Sequence, residues 1–407
     1  MKKKRYKYSK FFRALFTFAA FTYNEIVDKD DVVFIHLKRK RKTCICPDCG
    51  RRNKPTKESY KRTVRDLGMS SKDCYLTFFE SKIRCRCGFR GYEKLDFVRP
   101  YSRCSVRFEK YAFKLCQKMA LSDVSETLRI NWKTAKDIDI HYTEEMLVSL
   151  KDIDPVRIGI DEIAYEKGHK YLTVVRDVDL GAVIWVGVGR KRETLDSFFD
   201  ELGFEKTLNI EAAVMDMWDP YIASVNEHCP RVEIIFDKFH AVKIVNTALD
   251  DIRKNEFAKA DDDQRKNMKK KRFLILRRQR DLNDQQRENL ERIMKDNLVL
   301  YKSYLIKEQL SDILDETDIY QGIKRLDGWI KNVEETGIER LNKCARTIKR
   351  YYYGIVNYFR HGITNASSEG FNNKINVIKR RSYGFWDLDY FMLKIKWACG
   401  LMRENVS

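Results

Sequence analysis

The chain has 407 residues and a formal net charge of +20, which comes from 80 Lys and Arg residues against 60 Asp and Glu residues. Hydrophobic residues make up 43% of the chain, which excludes a largely disordered protein. At roughly 100 to 200 residues per domain, the length predicts two to four domains. The excess of positive charge favours a polyanionic partner, most commonly nucleic acid, over a basic surface that is merely solvated.

The first residues, "MKKKRYKYSKFFRALFTFAAF", combine a basic and an apolar stretch as a secretory signal does. Arg13 interrupts the apolar stretch and no small-residue cleavage site follows, so the pattern predicts an amphipathic or buried helix from Phe11 to Phe21. No window reaches about 18 uninterrupted apolar residues, so we expect no membrane span. A cytoplasmic location, in which the cysteines stay reduced, is the resulting expectation.

Seven cysteines occur within residues 44–104. The motifs "CICPDCG" and "RCRCGFRG" supply the four candidate ligands of a structural zinc ion: Cys46, Cys49, Cys85 and Cys87. Each of these motifs forms one cysteine knuckle. The second knuckle, CxC, is one residue shorter than the usual CxxC, so Cys44 or Cys74 remains an alternative ligand. Buried, reduced cysteines without metal are the alternative to a zinc site. Between the knuckles, "DCYLTFFESKIRC" predicts a strand, as in zinc ribbons.

The next segment, "RFEKYAFKLCQKMALSDVSETLRINWKTAKDIDIHY", has apolar residues at helical spacing. It predicts a helix, a second helix that ends before the turn "RIN", and a third helix from Trp132 to Ile140. This order indicates a helix-turn-helix unit whose third helix presents Trp132, Lys133 and Lys136 to DNA. A small helical unit without a DNA-reading role is the alternative.

From residue 155 the pattern becomes rich in β-strands. "PVRIGID" predicts a strand that ends on Asp161, and "KYLTVVRDVD" and "AVIWVGVG" predict two more. An amphipathic helix, "KRETLDSFFDELG", follows. "IEAAVMD" and "RVEIIFD", separated by a helix, then predict strands that end on Asp216 and Asp237. Three antiparallel strands followed by the order α-β-α-β predict an α/β core of the RNase H-like type.

Carboxylates at the ends of these strands indicate a particular chemistry. An isolated buried carboxylate such as Asp161 is costly, but it is stabilised beside a cation. Two divalent cations about 4 Å apart activate the attacking oxygen and stabilise the leaving oxygen in phosphodiester chemistry. Mg²⁺ prefers such hard oxygen ligands. The excess of Lys and Arg would then hold the DNA backbone.

A third acid lies far downstream in "TNASSEGFNNKINVIKRRSYGFWDLDYF". Glu369 stands near the start of a predicted helix, and the basic residues Lys379, Arg380 and Arg381 follow it. A Glu in a first helical turn is equally explained by the helix dipole. The charged residues from roughly 250 to 350 predict an all-helical insertion between the last strand and the Glu369 helix.

Several of these segments together resemble bacterial insertion-sequence transposases of the DDE superfamily, of the ISL3 type. They are "CPDCG", "IGIDEIAYEKG", "AAVMDMWDPYIASV", "IIFDKFHAVKIVN" and "NASSEGFNNKINVIKRRSYGF". They occur in the family's order and span nearly the whole chain. The resemblance implies a zinc-binding head, a helix-turn-helix and an RNase H-like catalytic core. The short second cysteine knuckle departs from the family's usual CxxC.

The resemblance also implies a function, in which the protein binds the ends of its element, cleaves DNA and joins the 3′ ends to target DNA. It identifies Asp161, Asp216 and Glu369 as a triad that binds two Mg²⁺ (or Mn²⁺) ions. The expected partners are double-stranded DNA and further copies of the chain, as a homodimer or larger assembly on DNA. The alternatives are a non-catalytic DNA-binding protein and a metal-dependent nuclease that never joins strands.

Two further motifs concern the same site. Asp237 also ends a strand and is an alternative to Asp216 as the second metal ligand. The resemblance favours Asp216 and gives Asp237 and His240, which form an Asp-x-x-His signature, a supporting role. By strand alternation we expect Glu162 to point away from the preceding Asp, and we expect Asp219 to cap the helix that follows it.

The predicted domains are, in chain order, an N-terminal helix and strand segment (1–43), a zinc-binding domain (44–103), a helix-turn-helix domain (104–150), the first part of the catalytic core (155–250), the helical insertion (251–350) and the closing helices with Glu369 (351–407).

Overall fold

The computed structural model describes residues 4–7, 10–148, 153–166, 168–363, 366–381 and 387–400, with the backbone alone at 4–7 and 366–369. The chain divides into two compact units, Met1–Glu145 and Met146–Ser407. None of the helices in these ranges is long and apolar enough to cross a membrane.

The N-terminal unit is built on a β-sheet. Its described strands are β1 (Lys4–Lys7), β2 (Phe21–Lys29), β3 (Val32–Arg39), β4 (Cys44–Ile45), β5 (Arg52–Asn53), β6 (Pro55–Met69), β7 (Lys72–Arg84) and β8 (Arg90–Tyr92). The order in the main sheet is β1-β2-β3-β7-β6, with β8 beside β7 and with β3 parallel to β7. Alternate residues of β3 are buried, as in a sheet with one face on a core. The strand predicted between the cysteine knuckles is confirmed as β7. The domain boundary predicted at residue 43 lies between β3 and β4, and strands on both sides of it, β3 and β7, pair in this sheet.

The helix predicted from Phe11 to Phe21 is wrong beyond its first half. The helix α1 covers Lys10–Leu15, and β2 already begins at Phe21. The intervening aromatic residues pack on the sheet, because the ring centroids of Phe18 and Phe97 are 4.3 Å apart and Phe16 is buried. Burial of these rings against the sheet therefore outweighs the helical spacing of the apolar residues.

Three helices complete the N-terminal unit: α2 (Val106–Cys116), α3 (Leu121–Leu128) and α4 (Trp132–Leu147). Ser105 caps α2, since its hydroxyl accepts a hydrogen bond from the Phe108 amide. Arg129 ends α3 with φ +51°, and this left-handed residue turns the chain toward α4. The predicted order of helices is confirmed, with a third helix that extends beyond Ile140 to Leu147.

The C-terminal unit contains a second sheet. Its strands are β9 (Arg157–Glu166), β10 (Lys170–Asp177), β11 (Ala182–Val188), β12 (Ala212–Met215) and β13 (Glu233–Phe236). The order is β11-β10-β9-β12-β13, in which β9, β10 and β11 are antiparallel neighbours and β9, β12 and β13 run parallel. The predicted end of the first strand at Asp161 is wrong, because β9 continues to Glu166 in its pairing with β10.

Helices cover both faces of this sheet. On one face lie α5 (Arg192–Leu202) and α7 (Asp219–His228), whose apolar residues pack with Ile158 and Ile160 of β9, and the short α6 (Phe204–Thr207) follows α5. On the other face lie α16 (Ala366–Arg381) and α17 (Leu388–Cys399), which pack with Ile163 of β9. Residues at alternate positions of β9 therefore belong to two different cores, as the alternation of side chains along a strand requires.

The long helix α8 (Lys238–Lys259) leads from the sheet into a helical bundle. The bundle comprises α9 (Asp262–Met268), α10 (Arg272–Leu276), α11 (Asp284–Lys295), α12 (Leu298–Ile313), α13 (Ile319–Glu335), α14 (Glu339–Arg350) and α15 (Tyr352–His361). All residues from 251 to 350 are described and none of them forms a strand. Helix α15 lies close against β13, since a Cβ atom on Gly354 would be 2.3 Å from the Phe236 ring.

Candidate active site and metal centre

The register of the second sheet brings its acidic residues to one level. Val214 of β12 is opposite Gly159 of β9, so continuing two residues places Asp216 beside Asp161. Met215 is opposite Phe236 of β13, so Asp237 is the next neighbour in the same row. The carboxylates therefore converge, because β12 and β13 end at one edge of the sheet beside the middle of the longer β9.

A cavity of about 280 Å³ opens at this edge. Its polar lining comes from β9, the residue after β12 and the first turns of α8. The lining residues are Asp161, Glu162, Asp216, Met217, Trp218, Tyr221, His240, Lys243, Ile244 and Thr247. The contributions of α8 recur at positions i, i+3, i+4 and i+7, which is one side of a helix.

Asp161 is held by two hydrogen bonds. Its Oδ1 accepts from the Glu162 amide at 2.8 Å, and its Oδ2 accepts from the Asn372 side chain at 2.9 Å. Burial, together with the negative charge of Asp216, raises the pKa of Asp161 despite these bonds. Two carboxylates brought together in a half-buried place repel each other, which a cation between them would relieve.

Asp216 contacts His240 in the lining of the cavity. Nε2 of His240 lies 2.8 Å from Oδ2 of Asp216. Burial alone would lower the pKa of His240, but the hydrogen bond to Asp216 and the charges of Asp216 and Asp237 outweigh it and raise that pKa. Oδ1 of Asp216 is buried and has no hydrogen-bond partner in the described part of the chain. This oxygen is an acceptor that the described groups leave unsatisfied.

Asp237 has a different environment from Asp216. Its side chain caps α8 by accepting a hydrogen bond from the Phe239 amide at 3.0 Å, and the residue is 4% exposed. The Asp216 side chain is 22% exposed and lines the cavity, which Asp237 does not. Burial raises the pKa of Asp237.

Asp219 does not cap α7 as predicted. It is the first residue of that helix, and Trp218 occupies the cap position without a side-chain hydrogen bond. The Asp219 carboxylate instead accepts from Arg350 at 2.7 Å and from the Tyr351 hydroxyl at 2.8 Å. It therefore fixes the loop after β12 to the junction between α14 and α15.

Glu162 contacts a different group from Asp161, as strand alternation predicts, but it borders the same cavity. Its Oε1 lies 3.4 Å from Arg190, whose guanidinium is 4.2 Å from the centroid of the Tyr171 ring and 4.9 Å from that of Trp218. The cluster of Arg190, Tyr171 and Trp218 beside Glu162 was not predicted from the sequence. Trp218 follows Asp216 by two residues, so its position in the motif "MDMWDPY" was the available signal.

Helix α16 supplies the other side of Asp161. Asn372 donates to Asp161, and Glu369 belongs to the same helix one turn earlier, although its side chain lies outside the described part of the chain. The basic residues Lys379, Arg380 and Arg381 form the last turn of α16. The Lys379 ammonium donates to the Ala164 carbonyl at 3.4 Å, while Arg380 is exposed.

The N-terminal unit gathers the four predicted cysteines into one cluster. All four Sγ atoms lie within 4.8 Å of one another, with Cys46 and Cys87 3.7 Å apart and Cys49 and Cys85 3.5 Å apart. Zinc with four thiolates at about 2.3 Å requires sulfurs roughly 3.8 Å apart by tetrahedral geometry. The cluster therefore fits a zinc ion.

The backbone explains why a shorter second knuckle is compatible with the first. In the first knuckle the Gly50 amide donates to the Cys46 carbonyl, four residues earlier; in the second the Gly88 amide donates to the Cys85 carbonyl, three residues earlier. Both glycines have positive φ, +70° and +99°. The tighter second turn thus compensates for the missing residue.

The alternative ligands Cys44 and Cys74 lie outside the cluster. Both are buried, and burial raises the pKa of each thiol to about 12. Cys74 packs in the core of the first sheet. Neither thiol belongs to the group of four sulfurs that lie within 4.8 Å of one another.

The predicted DNA-contacting residues of α4 lie at its start. Trp132 is 50% exposed and Lys133 is exposed, with its ammonium 5.9 Å from the centroid of the Trp132 ring. Lys136 is half-buried one turn further on. The buried side of α4 includes Ala135, Ile138 and Tyr142.

Comparisons with known proteins agree with this organisation. Residues 158–395 match a family model described as a transposase, and residues 93–143 match the helix-turn-helix domain of transposase family ISL3. The chain is 32% identical to the transposase for insertion sequence element IS1001 of Bordetella parapertussis, over 91% of this chain and 92% of that protein. It is 28% identical to the transposase for insertion sequence element IS1557 of Mycobacterium tuberculosis, over 84% and 82% respectively. The chain therefore belongs to the ISL3 family of transposases.

Proposed function

We propose that this protein binds the ends of its insertion sequence, cleaves DNA by metal-dependent phosphodiester hydrolysis and joins the 3′ ends to target DNA. The observation that carries the proposal is the meeting of Asp161 and Asp216 at one cavity, with a buried Asp216 oxygen that the described groups leave unsatisfied. The strand order β11-β10-β9-β12-β13, with helices on both faces, supports an RNase H-like core.

In this proposal Asp161, Asp216 and Glu369 hold two Mg²⁺ or Mn²⁺ ions. Such ions, when bound, activate the attacking oxygen and stabilise the leaving oxygen. Glu369 precedes Asn372 by three residues in α16, and residues three apart lie on the same side of a helix. Since Asn372 reaches Asp161, this spacing supports Glu369 as the third acid.

His240 and Asp237 have supporting roles in the proposed site. His240 orients Asp216 by hydrogen bonding to Oδ2, which leaves Oδ1 for a cation. Asp237 caps α8 and so fixes the helix that carries His240. This division assigns metal binding to Asp216 rather than to Asp237.

The N-terminal unit has the proposed task of recognising DNA. One structural zinc ion held by Cys46, Cys49, Cys85 and Cys87 would fix the knuckles, and Trp132, Lys133 and Lys136 of α4 would contact the element's ends. In the core, Lys379, Arg380 and Arg381 would contact phosphates near the Glu369 helix. The protein would act as a homodimer or larger assembly on DNA. The predicted domain boundaries other than that at residue 43 are retained in this proposal.

Incubation of the full chain with end-containing DNA, a target plasmid and Mg²⁺ tests the proposal. Wild type should produce cleaved ends and joined products, and Asp161→Asn should produce neither while still binding the ends. Cleavage without joining would identify a nuclease. Binding without cleavage by wild type would identify a non-catalytic DNA-binding protein.

A further inference from the structure

The cavity beside the acids contains an apolar wall that phosphate and cation binding do not require. Met217, Trp218, Tyr221 and Ile244 line the cavity together with its charged groups. Phosphates and divalent cations are bound by charged and polar groups. An apolar wall of this kind favours an apolar part of the ligand in the same space.

Trp218 is the exposed member of this wall and is held in one orientation. Its indole Nε1 donates to the Arg190 carbonyl at 3.1 Å, and the Arg190 guanidinium lies 4.9 Å from the ring centroid. Arg190 is itself stacked at 4.2 Å on Tyr171 and lies beside Glu162. The Trp218 residue nevertheless remains 37% exposed.

Trp218 is also fixed with respect to the proposed metal ligand. Its amide donates to the Asp216 carbonyl at 2.7 Å, so the two residues form one tight turn at the end of β12. An aromatic surface is thus presented within two residues of the carboxylate. Anything stacked on this ring would be positioned relative to Asp216 by a short, hydrogen-bonded stretch of backbone.

The part of a DNA strand that matches a flat apolar surface is a base. A base within a duplex is already stacked on both faces and paired, whereas an unpaired base can stack on an aromatic side chain. We propose that the cavity binds one unpaired nucleobase of the DNA strand, stacked on Trp218 beside Asp216. This inference rests on the proposed function, because it identifies the form of DNA that the site receives.

Such a base would anchor the strand near the acids. Stacking is tolerant of sequence, so this contact would position the strand rather than read it. Lys243, an exposed residue on the cavity-facing side of α8, is available for the adjoining phosphate. The strength of this contact should therefore depend on a single nucleotide position and on whether the nucleotide there carries an unpaired base.

Equilibrium binding with modified DNA tests this directly. The full chain is titrated with duplexes of the element's terminal sequence in three forms: fully paired, mismatched at one position, and abasic at that position. In a series of duplexes, the mismatched or abasic position is placed at successive nucleotides on both sides of the scissile phosphate. All chains carry Asp161→Asn so that the DNA stays uncut, and Trp218→Ala and Trp218→Phe are compared with the parent.

At one position, Trp218→Ala should weaken binding of the mismatched duplex by about 5- to 150-fold and leave binding of the abasic duplex unchanged. Trp218→Phe should retain much of the affinity. Tyr320→Ala, which removes another exposed aromatic ring of the same unit, should change none of the three. Thermal unfolding of each variant separates a folding defect from the loss of a contact.

An equal loss on all three duplexes, or no loss at any position, would overturn the inference, as would failure of the parent chain to bind the ends. Cleavage by the chain with Asp161 restored is measured in parallel. If that chain cleaves the ends without a position-dependent effect of Trp218, the base site is wrong and the proposed function stands. A position-dependent effect in a chain that does not cleave would support the base site and contradict the proposed function.

Discussion

The cysteine cluster of the N-terminal unit and the carboxylate cavity of the C-terminal unit both collect groups suited to metals, but over different distances in the chain. Within each knuckle the cysteines are two or three residues apart, so a single turn of backbone sets their geometry. In the cavity, Asp161 is held by Asn372, which lies 211 positions away. The first site depends on two local turns that the strands between them bring together, and the second depends on the assembly of a sheet and two helices.

The largest effect is expected from removal of a cysteine, which tests whether the zinc site holds the N-terminal unit together. Cys46→Ser should abolish zinc binding and unfold the N-terminal unit, because a structural zinc ion contributes on the order of 10 to 16 kcal/mol to folding. Zinc content and thermal unfolding of the full chain measure this. Cys344→Ser, in the other unit, is the matched control and should retain one zinc per chain. Absence of zinc from wild type, or its retention in Cys46→Ser, would contradict the prediction.

The next largest effect should distinguish Asp216 from Asp237, which follow two adjacent strands. Asp216→Asn should reduce cleavage by roughly 10³-fold or more, as loss of a central catalytic group does. Asp237→Asn should reduce cleavage far less, because an amide oxygen still accepts the capping hydrogen bond from Phe239. Single-turnover cleavage of end DNA measures both. Loss of cleavage in Asp237→Asn alone would reverse the assignment.

Much of the local structure could be predicted from the sequence. The strands β10 and β11, the helix α5 and the cysteine quartet follow from alternation, helical spacing and knuckle motifs within short windows. The end of β9 could not be predicted, because its last residues are held by pairing with β10 rather than by their own pattern.

The candidate site was only partly predictable, for a related reason. Asp216 and Asp237 could be identified at strand ends, but the choice between them depends on which carboxylate lines the cavity and which caps α8. Asp219 was expected to cap α7, yet the partners that bind it, Arg350 and Tyr351, lie 131 and 132 positions away. Contacts at that distance leave no periodic signal.

A smaller effect is expected at His240. His240→Ala should reduce cleavage about 10- to 100-fold, the usual cost of losing a partner that orients a metal ligand. His240→Gln, whose side chain retains a hydrogen-bond donor, should recover part of the activity. The control is His361→Ala, since that histidine contacts Glu233 instead. The dependence of the rate on Mg²⁺ concentration gives the readout, and an unchanged dependence in His240→Ala would contradict an orienting role.

The smallest effects concern DNA contacts in the two units. Lys133→Ala or Lys136→Ala should reduce the preference for element ends over random DNA, by about 1 to 3 kcal/mol for a contact that reads a base. Arg380→Ala should weaken binding to both DNAs equally and reduce the salt slope by about 1. Titrations on both DNAs at two salt concentrations measure this. A loss of preference in Arg380→Ala, with none in the α4 variants, would contradict the assignment.

Asp161 is proposed to bind a catalytic divalent metal, and a change of metal preference at that residue provides a direct test. In Asp161→Cys the ligand becomes a thiolate, which binds Mg²⁺ poorly and accepts softer metals such as Mn²⁺ more readily. The measurement is the cleavage rate of end DNA by wild type and Asp161→Cys in each metal. We expect cleavage by Asp161→Cys to be at least about ten-fold faster in Mn²⁺ than in Mg²⁺, and Asp161→Ala to be inactive in both. Cleavage by Asp161→Cys in Mg²⁺ at the wild-type rate would contradict the proposed metal binding.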